Sequence, residues 1–509
     1  MGLLLGDLLR RQASATGRPD RPALIMDEEV WSYRRLDATA DRLANLLIGL
    51  GVAPGDRVAL LDRNCPFWVA VYFAAARCGA ILVPLNFWHR AGELHYALDD
   101  AGAAVVIASG AYAGVLAEVR PRAAAVRRWL WYDRPDAPPD EDLPALLAQA
   151  RSAPPAVAID ERDPHIILYT SGTTGHPKGA VLSHRAHVLH AQMFALKLRM
   201  VEEDVWLNLY PLFHTGGMDC GVLPAFAVGA TVVLLRHPEP EGILAAIERR
   251  RVSAFMAVPA LWRRICAAAA AGRHDTASLR RTAGSSDAMP RDLLEEVMGR
   301  FRAPYIQTYG LTEGGCILTY LDPADALRKL GAAGKPHAAC DLRLEDPAGG
   351  PVAAGATGEI VARTEHVMNG YWGKPEETAR ALRDGWLRTG DLGRLDEEGY
   401  LWIAGRAKDI IISGGENIDP AEIEHCLRAH PAVAEVAVIG APDPEWGEQV
   451  VAVVVPRPGT RPTAAELIEH VRPRLAGYKR PKRVEFVDAL PRTASTGKVQ
   501  KAVLRERFR

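Results

Sequence analysis

A loop rich in glycine and hydroxyl groups runs from Tyr169 to Gly179 and contains residue types that bind phosphate. Glycines expose backbone N–H groups, hydroxyls add donors, and Lys178 adds a positive charge, a set that suits a polyphosphate. The loop lacks the adjacent Gly-Lys-Ser/Thr of a Walker A motif. Composition alone is also typical of an ordinary turn, so other residues must decide between the two interpretations. The candidate phosphate contacts are Thr170, Ser171, Gly172, Thr173, Thr174, Gly175 and Lys178.

The cysteines show no pattern of a disulfide framework or a zinc site. There are seven, an odd number without a CxxC pair, and they are scattered singly along the chain. We therefore expect each thiol to be a buried packing residue in a protein of the reducing cytoplasm. They are Cys65, Cys78, Cys220, Cys266, Cys316, Cys340 and Cys426.

Short apolar runs alternate with segments of helical spacing, which predicts buried, largely parallel strands with crossover helices. The phosphate-type loop follows the run ending at Tyr169, so we expect it at the end of a strand. The segment from Arg134 to Pro155 is rich in Pro, Ala and Asp and is interpreted as a surface excursion. The runs are Val58 to Leu61, Ala80 to Leu85, Val105 to Ala108, Ile166 to Tyr169, Thr231 to Leu235 and Ala254 to Val258.

The pattern changes near Gly405, where a small α+β unit is predicted. A loop at Ser413 to Gly415 precedes a helix that starts near Pro420. We place a large domain at residues 1–404 and a small one at 405–509. The further predicted elements are strands around Val433 to Ile439 and Val450 to Val455, a helix from Ala464 to Leu475, and a strand from Val484 to Val487.

Bulk composition excludes several classes of partner. The 509 residues contain 61 Lys and Arg against 62 Asp and Glu, a balance that gives no general attraction to nucleic acid or anionic membranes. No apolar run is long enough to span a bilayer. The start, Met1 to Leu9, lacks a basic region and a cleavage site and is expected to be a helix, not a signal peptide.

The phosphate-type loop resembles a signature of the adenylate-forming superfamily, which includes the acyl-CoA synthetases, adenylation domains and luciferases. Further segments resemble later signatures in family order, from about Trp31 to Lys501. The resemblance implies an α/β large N-terminal domain with parallel-rich sheets flanked by helices. It also implies a small mobile α+β C-terminal lid, with the active site in the cleft between them. The later signatures are Tyr309-Gly310-Leu311-Thr312-Glu313, Trp386 to Asp391, Gly405-Arg406 and Pro491 to Lys501.

The resemblance assigns ATP contacts to these signatures. Tyr309 and Gly310 lie against adenine, and Thr312 contacts the α-phosphate. Glu313 holds Mg²⁺ with Thr170, consistent with the preference of a hard cation for oxygen ligands. Asp391 and Arg406 contact the ribose.

The implied chemistry has two halves. Lys498 bridges the acyl carboxylate and the α-phosphate while pyrophosphate leaves, and an ammonium there stabilises the negative transition state. The lid then turns about Lys408, the Gly414-Gly415 face reaches the site, and a thiol attacks the acyl-adenylate to give a thioester.

The thiol is expected to be that of CoA. Trp446, Arg480 and Lys482 lie where CoA ligases of this family hold CoA, and an indole with two cations suits a nucleotide with an extra phosphate. The alternative for Trp446 is a core residue beside surface charges. The alternative function is a stand-alone adenylation enzyme that loads an acyl or amino acid onto a carrier-protein phosphopantetheine. A non-catalytic nucleotide-binding relative is a further alternative, which the intact signatures disfavour.

Pro211 to Met218 resembles the wall of the family's acyl pocket, with His214 near the carboxylate and Gly217, Met218 and Gly310 around the acyl group. Asp219 follows this wall. It either faces the substrate and favours an amine-bearing acid, or turns to solvent or caps a helix, and we expect the second.

One segment departs from the family pattern. Where a glycine pair or Gly-Ala is common beside adenine, this chain has Ser285 and Ser286 after Gly284. The side chains remain small, so we keep both serines as nucleotide contacts. The predicted ligands are a small carboxylic acid, ATP, Mg²⁺ and CoA, with no nucleic acid, for a monomer or homodimer.

Overall fold

The computed structural model describes residues 3–14, 18–134, 136–139, 141–170, 177–353, 355–406, 409, 411–413, 416–418, 420–444, 446–473, 475, 477–493 and 497–508. Side chains at 406, 412, 416 and 417 are outside this description. The chain divides into two compact units. The large unit comprises Met1–Asp341 with Ala362–Leu387, and the small unit comprises Leu342–Val361 with Arg388–Arg509.

The strands of the described residues are β1 (Pro22–Met26), β2 (Glu29–Ser32), β3 (Arg57–Leu61), β4 (Ile81–Pro84), β5 (Val105–Ala108), β6 (Arg128–Trp131), β7 (Pro164–Thr170), β8 (Lys178–Ser183), β9 (Val205–Asn208), β10 (Thr231–Leu234), β11 (Ala254–Ala257), β12 (Arg281–Gly284), β13 (Tyr305–Leu311), β14 (Cys316–Leu321), β15 (Lys335–Pro336), β16 (Cys340–Glu345), β17 (Gly358–Thr364), β18 (Gly370–Tyr371), β19 (Leu382–Arg383), β20 (Trp386–Leu395), β21 (Leu401–Arg406), β22 (Ile411–Ser413), β23 (Glu416–Ile418), β24 (Val433–Asp443), β25 (Gly447–Pro456) and β26 (Arg483–Phe486).

The α-helices of the same residues are α1 (Leu5–Ser14), α2 (Tyr33–Gly49), α3 (Pro66–Cys78), α4 (Ala91–Ala101), α5 (Ala113–Val119), α6 (Leu143–Ala148), α7 (His184–Lys197), α8 (Thr215–Gly217), α9 (Leu223–Val228), α10 (Pro240–Arg250), α11 (Pro259–Ala269), α12 (Arg291–Phe301), α13 (Pro375–Ala381), α14 (Pro420–Arg428), α15 (Ala464–Val471) and α16 (Lys501–Arg507). A π-helix, Met218–Val222, lies between α8 and α9.

Two mixed sheets with parallel centres organise the large unit. Within the described residues, one sheet has nine strands in the order β15-β14-β13-β12-β11-β9-β10-β1-β2. The other has seven, in the order β18-β8-β7-β4-β3-β5-β6. Strands β9 to β13 of the first sheet pair in parallel with one another, and so do strands β3 to β7 of the second. The predicted α/β fold class is confirmed.

Buried strands and a helix buried on every side explain why the sequence folds in this way. Strands β4 and β5 are buried along their whole length, as crossover sheets covered on both faces require. Helix α3 is buried at nearly every position and is bounded by Cys65 and by Gly79, which adopts the left-handed conformation at φ 72°. Around it, the main hydrophobic core joins the two sheets.

The small unit has its own apolar clusters. The long antiparallel pair β24 and β25 forms its centre, with β26 parallel to β25. Helices α14 and α15 pack on one face, and α16 packs with the cluster of Val487 and Leu490.

The sequence-predicted strands agree with β3, β4, β5, β7, β10 and β11 to within a few residues at each end. The predicted surface excursion needs a correction, because it contains α6 and the fully buried Leu143. The predicted boundary after residue 404 falls inside β21, whereas the compact units divide before Arg388. Strand pairing with β20 places residues 388–404 with the small unit, so a hinge near 405 stays a prediction.

Candidate active site

Glu313 is the meeting point of three chain segments in the large unit. It lies in a single turn of 3-10 helix, Thr312–Gly314, which directly follows β13. The hydroxyl of Thr170 donates to its Oε1 at 3.0 Å, and so does the phenol of Tyr371 at 3.0 Å. In the described part of the chain, Oε2 accepts no hydrogen bond. An oriented carboxylate with one oxygen left over is the donor type that Mg²⁺ prefers.

The phosphate-type loop connects two antiparallel strands, β7 and β8, whose pairing ends at Thr170 and Lys178. Loop residues Ser171, Gly172, Thr173, Thr174 and Gly175 lie outside the described residues. The ammonium of Lys178 lies 5.2 Å from the centre of the Tyr371 ring. Thr170 and Lys178 are therefore brought to the same place as Glu313.

Ion pairs and hydrogen bonds hold the base of this hairpin. Tyr169 donates to Asp100 at 2.8 Å, and Lys374 pairs with the other oxygen of Asp100 at 3.1 Å. Burial and the Asp100 carboxylate raise the pKa of Tyr169, so its phenol remains protonated. Tyr169 thus anchors the loop.

Tyr371 is a site residue that sequence reasoning missed. Its short strand, β18, pairs with β8, opposite Ala180. Gly370 adopts φ 145°, a conformation that favours glycine, and brings Tyr371 back toward the hairpin. The Gly-Tyr-Trp sequence at 370–372 was the available signal.

The end of β12 provides the serines predicted beside adenine. Ser285 hydrogen-bonds Tyr210 at 2.9 Å between their hydroxyl oxygens, and Ser286 is exposed. Ser286 has φ 71°, which L residues rarely adopt. This backbone angle explains why glycine is common here in the family, because glycine adopts it without strain and serine only at a cost. The structure gives no reason for the serine.

Strand β13 delivers the second signature. Tyr309 and Gly310 lie near the end of this strand and Thr312 lies just after it, and all three are half-buried. A Cβ added to Gly310 would lie 1.8 Å from the carbonyl oxygen of Cys316, so only glycine fits between β13 and β14. Thr308 donates to the carbonyl of Gly284 at 3.0 Å, which ties this strand to the serine segment.

Two buried histidines support the turn that carries Glu313. The N–H of Ala339 donates to Nδ1 of His337 at 3.2 Å, so the proton of His337 is on Nε2. That nitrogen lies 2.9 Å from Nε2 of His366, whose Nδ1 donates to the carbonyl of Gly314 at 2.9 Å. Burial lowers the pKa of His337 to about 4 and that of His366 to about 3. The neutral pair therefore fixes the carbonyl of Gly314, the residue after Glu313.

The predicted acyl-pocket wall is a tight turn followed by the π-helix. His214 precedes α8, its ring 4.3 Å from that of Phe213. A Cβ on Gly217 would lie 2.2 Å from the carbonyl oxygen of Pro211, which explains this glycine by close packing. Met218 is buried in the main core cluster. π-Helices occur frequently at functional sites.

Asp219 behaves in neither of the ways considered above. Its carboxylate is 1% exposed and lies 2.5 Å from Nδ1 of His187. The expectation that it turns to solvent or caps a helix is wrong. Because His187 comes from α7, 32 residues earlier, local sequence gave no sign of this partner. The carboxylate is also compensated, which removes the argument for an amine-bearing acid.

In the small unit, Asp391 and Arg406 occupy directly opposed positions on the antiparallel strands β20 and β21. Asp391 is buried, and its N–H donates to Thr389 at 3.1 Å. The register places both predicted ribose contacts at one point of the sheet. Lys408, Gly414 and Gly415 lie outside the described residues.

Trp446 and Lys482 form the predicted indole and cation pair. Trp446 is 42% exposed, which excludes a core role, and the Lys482 ammonium lies 4.1 Å from its ring centre. Arg480 donates to backbone carbonyls of Leu475 and Arg472, each at 3.4 Å. Trp446 and Lys482 thus form an exposed aromatic and basic surface, and Arg480 is half-buried.

Lys498 lies on a short hairpin. Its N–H donates to Thr493 at 3.2 Å, and its carbonyl accepts from the Thr493 N–H at 2.8 Å. Its side chain is exposed. These hydrogen bonds fix the position from which the side chain of Lys498 extends.

Comparison with known proteins places these residues in a family. Residues 11–372 match the model of the AMP-binding enzymes, and residues 422–498 match that of the AMP-binding enzyme C-terminal domain. The chain belongs to the AMP-binding enzyme family. This confirms the resemblance drawn from the signatures.

Among similar members of this family are two ligases of ring-bearing acids. A feruloyl-CoA synthase of Amycolatopsis is 41% identical over 94% of both chains. An indoleacetate–CoA ligase of Aromatoleum aromaticum is 42% identical over 96% of this chain and 95% of its own.

Two solved structures share the fold. An anthranilate CoA ligase in complex with anthranoyl-AMP has a TM-score of 0.90 and 30% identity, covering 99% of this chain and 97% of its own. ATP-bound MatB of Rhodopseudomonas palustris has a TM-score of 0.89 and 32% identity, covering 100% and 99%. No described helix of this protein is long and apolar enough to cross a membrane.

Proposed function

We propose that this AMP-binding enzyme is an AMP-forming acyl-CoA synthetase. It activates a carboxylic acid with ATP, releases pyrophosphate, and transfers the acyl group from the acyl-adenylate to CoA. The observation that supports this most directly is the convergence of Thr170, Lys178 and Tyr371 on Glu313. The family and its CoA-ligase relatives agree with it.

Glu313 and Thr170 would hold Mg²⁺. Their fit rests on the remaining carboxylate oxygen of Glu313 and on the orientation that Thr170 and Tyr371 impose on the other. The ion would supply positive charge to the phosphates.

The remaining steps belong to the protein's own side chains. Lys178 pairs with the phosphates, and the backbone turn at Gly310 orients the acid for in-line attack on the α-phosphorus. Lys498 neutralises the charge that develops there. Asp391 and Arg406 hold the ribose.

For the acceptor, the exposed Trp446 and the ammonium of Lys482 over its ring support CoA. Arginine and lysine bind phosphates, and an indole platform stacks on a base. A carrier-protein phosphopantetheine is the rival acceptor. A fatty acid–[acyl-carrier-protein] ligase of Streptomyces coeruleorubidus is 35% identical over 97% of this chain, so the rival belongs in the test.

For the acid, we propose a compound with an aromatic ring. The turn before the π-helix lies in a group of rings, with Phe213 5.3 Å from Phe87 and 5.8 Å from Trp88 between ring centres. Aromatic pairs of this geometry add about 0.5–1.5 kcal/mol beyond area burial. The two relatives at 41% and 42% identity are named for ring-bearing acids.

A panel of acids tests the function. Aliphatic acids of increasing length, cinnamic-type acids and indole-type acids are each assayed for ATP-dependent pyrophosphate release, and then for thioester formation with CoA or with a carrier protein. We expect ring-bearing acids to give the highest kcat/KM and CoA to accept the acyl group. Adenylate that CoA fails to discharge, but a carrier protein accepts, would overturn the acceptor.

Replacing Lys498 by Ala separates the two half-reactions. We expect adenylate formation to fall by about 10²–10³-fold, the loss typical of removing one transition-state donor. Thioester formation from supplied acyl-adenylate should be largely retained, because that step does not need this ammonium. Equal losses in both halves would contradict the role of Lys498. The K335A variant, at an exposed lysine of the large unit, is the control.

We also propose a cytoplasmic location, since all seven cysteines are free and buried. A monomer or homodimer stays a prediction, and size-exclusion chromatography with light scattering tests it.

A further inference from the structure

Two cysteines far apart in the sequence lie in contact in the core of the large unit. The sulfur atoms of Cys220 and Cys316 are 3.1 Å apart, across 96 residues of chain. Both are buried, at 1% and 5% exposure. Cys220 belongs to the π-helix of the pocket wall, and Cys316 begins β14 just after the turn of Glu313. The pair therefore connects two walls around Gly310.

Both cysteines lie on irregular backbone. Cys316 has φ 105°, an angle that L residues rarely adopt, and the pairing of β13 with β14 shifts register beside it. Cys220 is within a π-helical turn, not a regular α-helix. Bulges and π-turns are not locked by a full ladder of regular hydrogen bonds. The two sulfurs therefore have room to close from contact to the about 2.05 Å of a disulfide bond.

His190 lies beside the two thiols and completes a group of three potential metal ligands. Its Nε2, however, accepts the N–H of Ile317 at 3.2 Å. A metal bound through this nitrogen would leave a buried N–H without an acceptor, a cost of about 1–3 kcal/mol. Two sulfurs on a tetrahedral zinc at about 2.3 Å would also stand about 3.8 Å apart, so they would have to separate. The geometry favours bond formation between the sulfurs.

We propose that Cys220 and Cys316 form a reversible disulfide when the protein meets a peroxide. One sulfur attacks a peroxide oxygen and breaks the O–O bond, giving a sulfenic acid and releasing the alcohol, or water from hydrogen peroxide. The second thiol attacks the sulfenic sulfur, the S–S bond forms, and hydroxide leaves with the thiol proton as water. The two sulfurs lose two electrons in total, and a dithiol reductant returns them.

Burial sets the rate of this chemistry. It raises the pKa of Cys220 well above the ordinary value, so little thiolate exists at neutral pH. The first step is slow and accelerates as pH rises. The second step is fast, because the resolving sulfur is already in contact. The disulfide carries no charge and is compatible with the apolar core.

The consequence for catalysis rests on the proposed function. The carbonyl of Cys316 packs against Gly310, so drawing the sulfurs together by about 1 Å moves the backbone there. A misplacement of this size costs up to about 10²-fold in rate. We expect oxidised protein to lose adenylate formation and to recover it with dithiothreitol.

Mass spectrometry of the full-length protein tests the proposal without reference to activity. The protein is treated with hydrogen peroxide at pH 7 and pH 8.5, denatured, alkylated with iodoacetamide and digested. We expect a pair of peptides joined through Cys220 and Cys316, formed faster at pH 8.5 and lost after reduction. C220S and C316S should give no such pair. C266S, a buried cysteine of another cluster, should retain it.

Three results would overturn the proposal. Both thiols could remain singly alkylated after treatment, or each could advance to sulfinic acid without joining. One equivalent of zinc in the purified protein, lost in C220S, would assign the group to a metal instead. Because the joined peptides are measured on wild type, a variant that fails to fold leaves the test intact. A joined pair in a protein inactive on every acid would refute the proposed function alone.

Discussion

Glu313 is oriented by partners that lie far from it in the sequence. Thr170 lies 143 residues before it and Tyr371 lies 58 residues after it, and both donate to the same oxygen. Hydrogen bonds to a charged group contribute about 1.5–3 kcal/mol, roughly twice those between neutral groups. Two hydroxyl groups, those of Thr170 and Tyr371, therefore hold the carboxylate in its orientation.

The Y371F variant tests whether the hydroxyl of Tyr371 helps to orient Glu313. Removing the phenolic hydroxyl should lower the rate of pyrophosphate release by about tenfold to 10²-fold, the range of one charge-assisted hydrogen bond. It should also raise the Mg²⁺ concentration needed for half-maximal rate. Initial rates over a magnesium series measure both. Y112F, which removes a phenol elsewhere in the large unit, is the control; equal effects of the two would refute the role of Tyr371.

At the scale of elements, the histidine pair behind the Glu313 turn links three segments. The pair connects Ala339 to the carbonyl of Gly314 through two neutral rings. A buried network of this kind rigidifies what it touches when every member is satisfied.

Replacing His366 separates positioning from packing. H366N keeps an N–H donor for the Gly314 carbonyl, whereas H366A removes it. We expect H366A to lower kcat by at least about tenfold with little change in the KM for ATP, because one buried hydrogen bond is lost. H366N should recover most of kcat. If both variants unfold alike and show equal kcat, His366 has only a structural role.

The close approach of β13 and β14 predicts that a side chain at Gly310 disturbs the site. In G310A, the new methyl carbon would collide with the Cys316 carbonyl, so the strands must separate and the site must shift. We expect a loss of several-fold or more in kcat/KM and a lower Tm. G299A is the matched control, since a Cβ there meets nothing within 4 Å and alanine stabilises a helix by about 1 kcal/mol. Tm and kcat/KM of both variants check this prediction.

At the scale of the whole molecule, buried histidines make stability depend on pH. Burial is the main cause of a lowered pKa at five of them. Below the ordinary value of 6.5 the unfolded chain takes up these protons first, so stability is complete above about pH 6.5 and falls toward pH 4. The five are His165, His184, His190, His337 and His366.

Denaturant unfolding at pH 7.5, 6 and 5 measures this effect. Each such histidine contributes up to about 1.4 kcal/mol per pH unit within its window. In H184L, we expect a flatter dependence, because the substitution removes a group whose pKa differs between the folded and unfolded chain. Within the described residues neither ring nitrogen of His184 has a hydrogen-bond partner, so the substitution breaks no hydrogen bond. H274N removes a half-buried histidine whose pKa is raised by Glu248, and it should not flatten the curve. An H184L curve parallel to wild type would contradict the prediction.

The sequence by itself determined the elements and the chemistry class. Apolar runs define buried strands because a strand covered on both faces must be apolar throughout, and β3, β5 and β11 follow directly from this rule. The signatures determined the family, because each one requires a specific residue type and all of them occur in the family order. They are the Gly/Ser/Thr loop and the segments of Glu313, Asp391 and Lys498.

Only the tertiary structure decided which side chains meet. Asp219 contacts His187, Tyr371 donates a hydrogen bond to Glu313, and Cys220 contacts Cys316. The cysteines had been expected to be separate packing residues. These partners come from different strands and helices, and their meeting depends on sheet order and close packing rather than on spacing along the chain. A sequence specifies each residue's chemistry locally, whereas contacts between distant segments follow from how the sheets and helices pack.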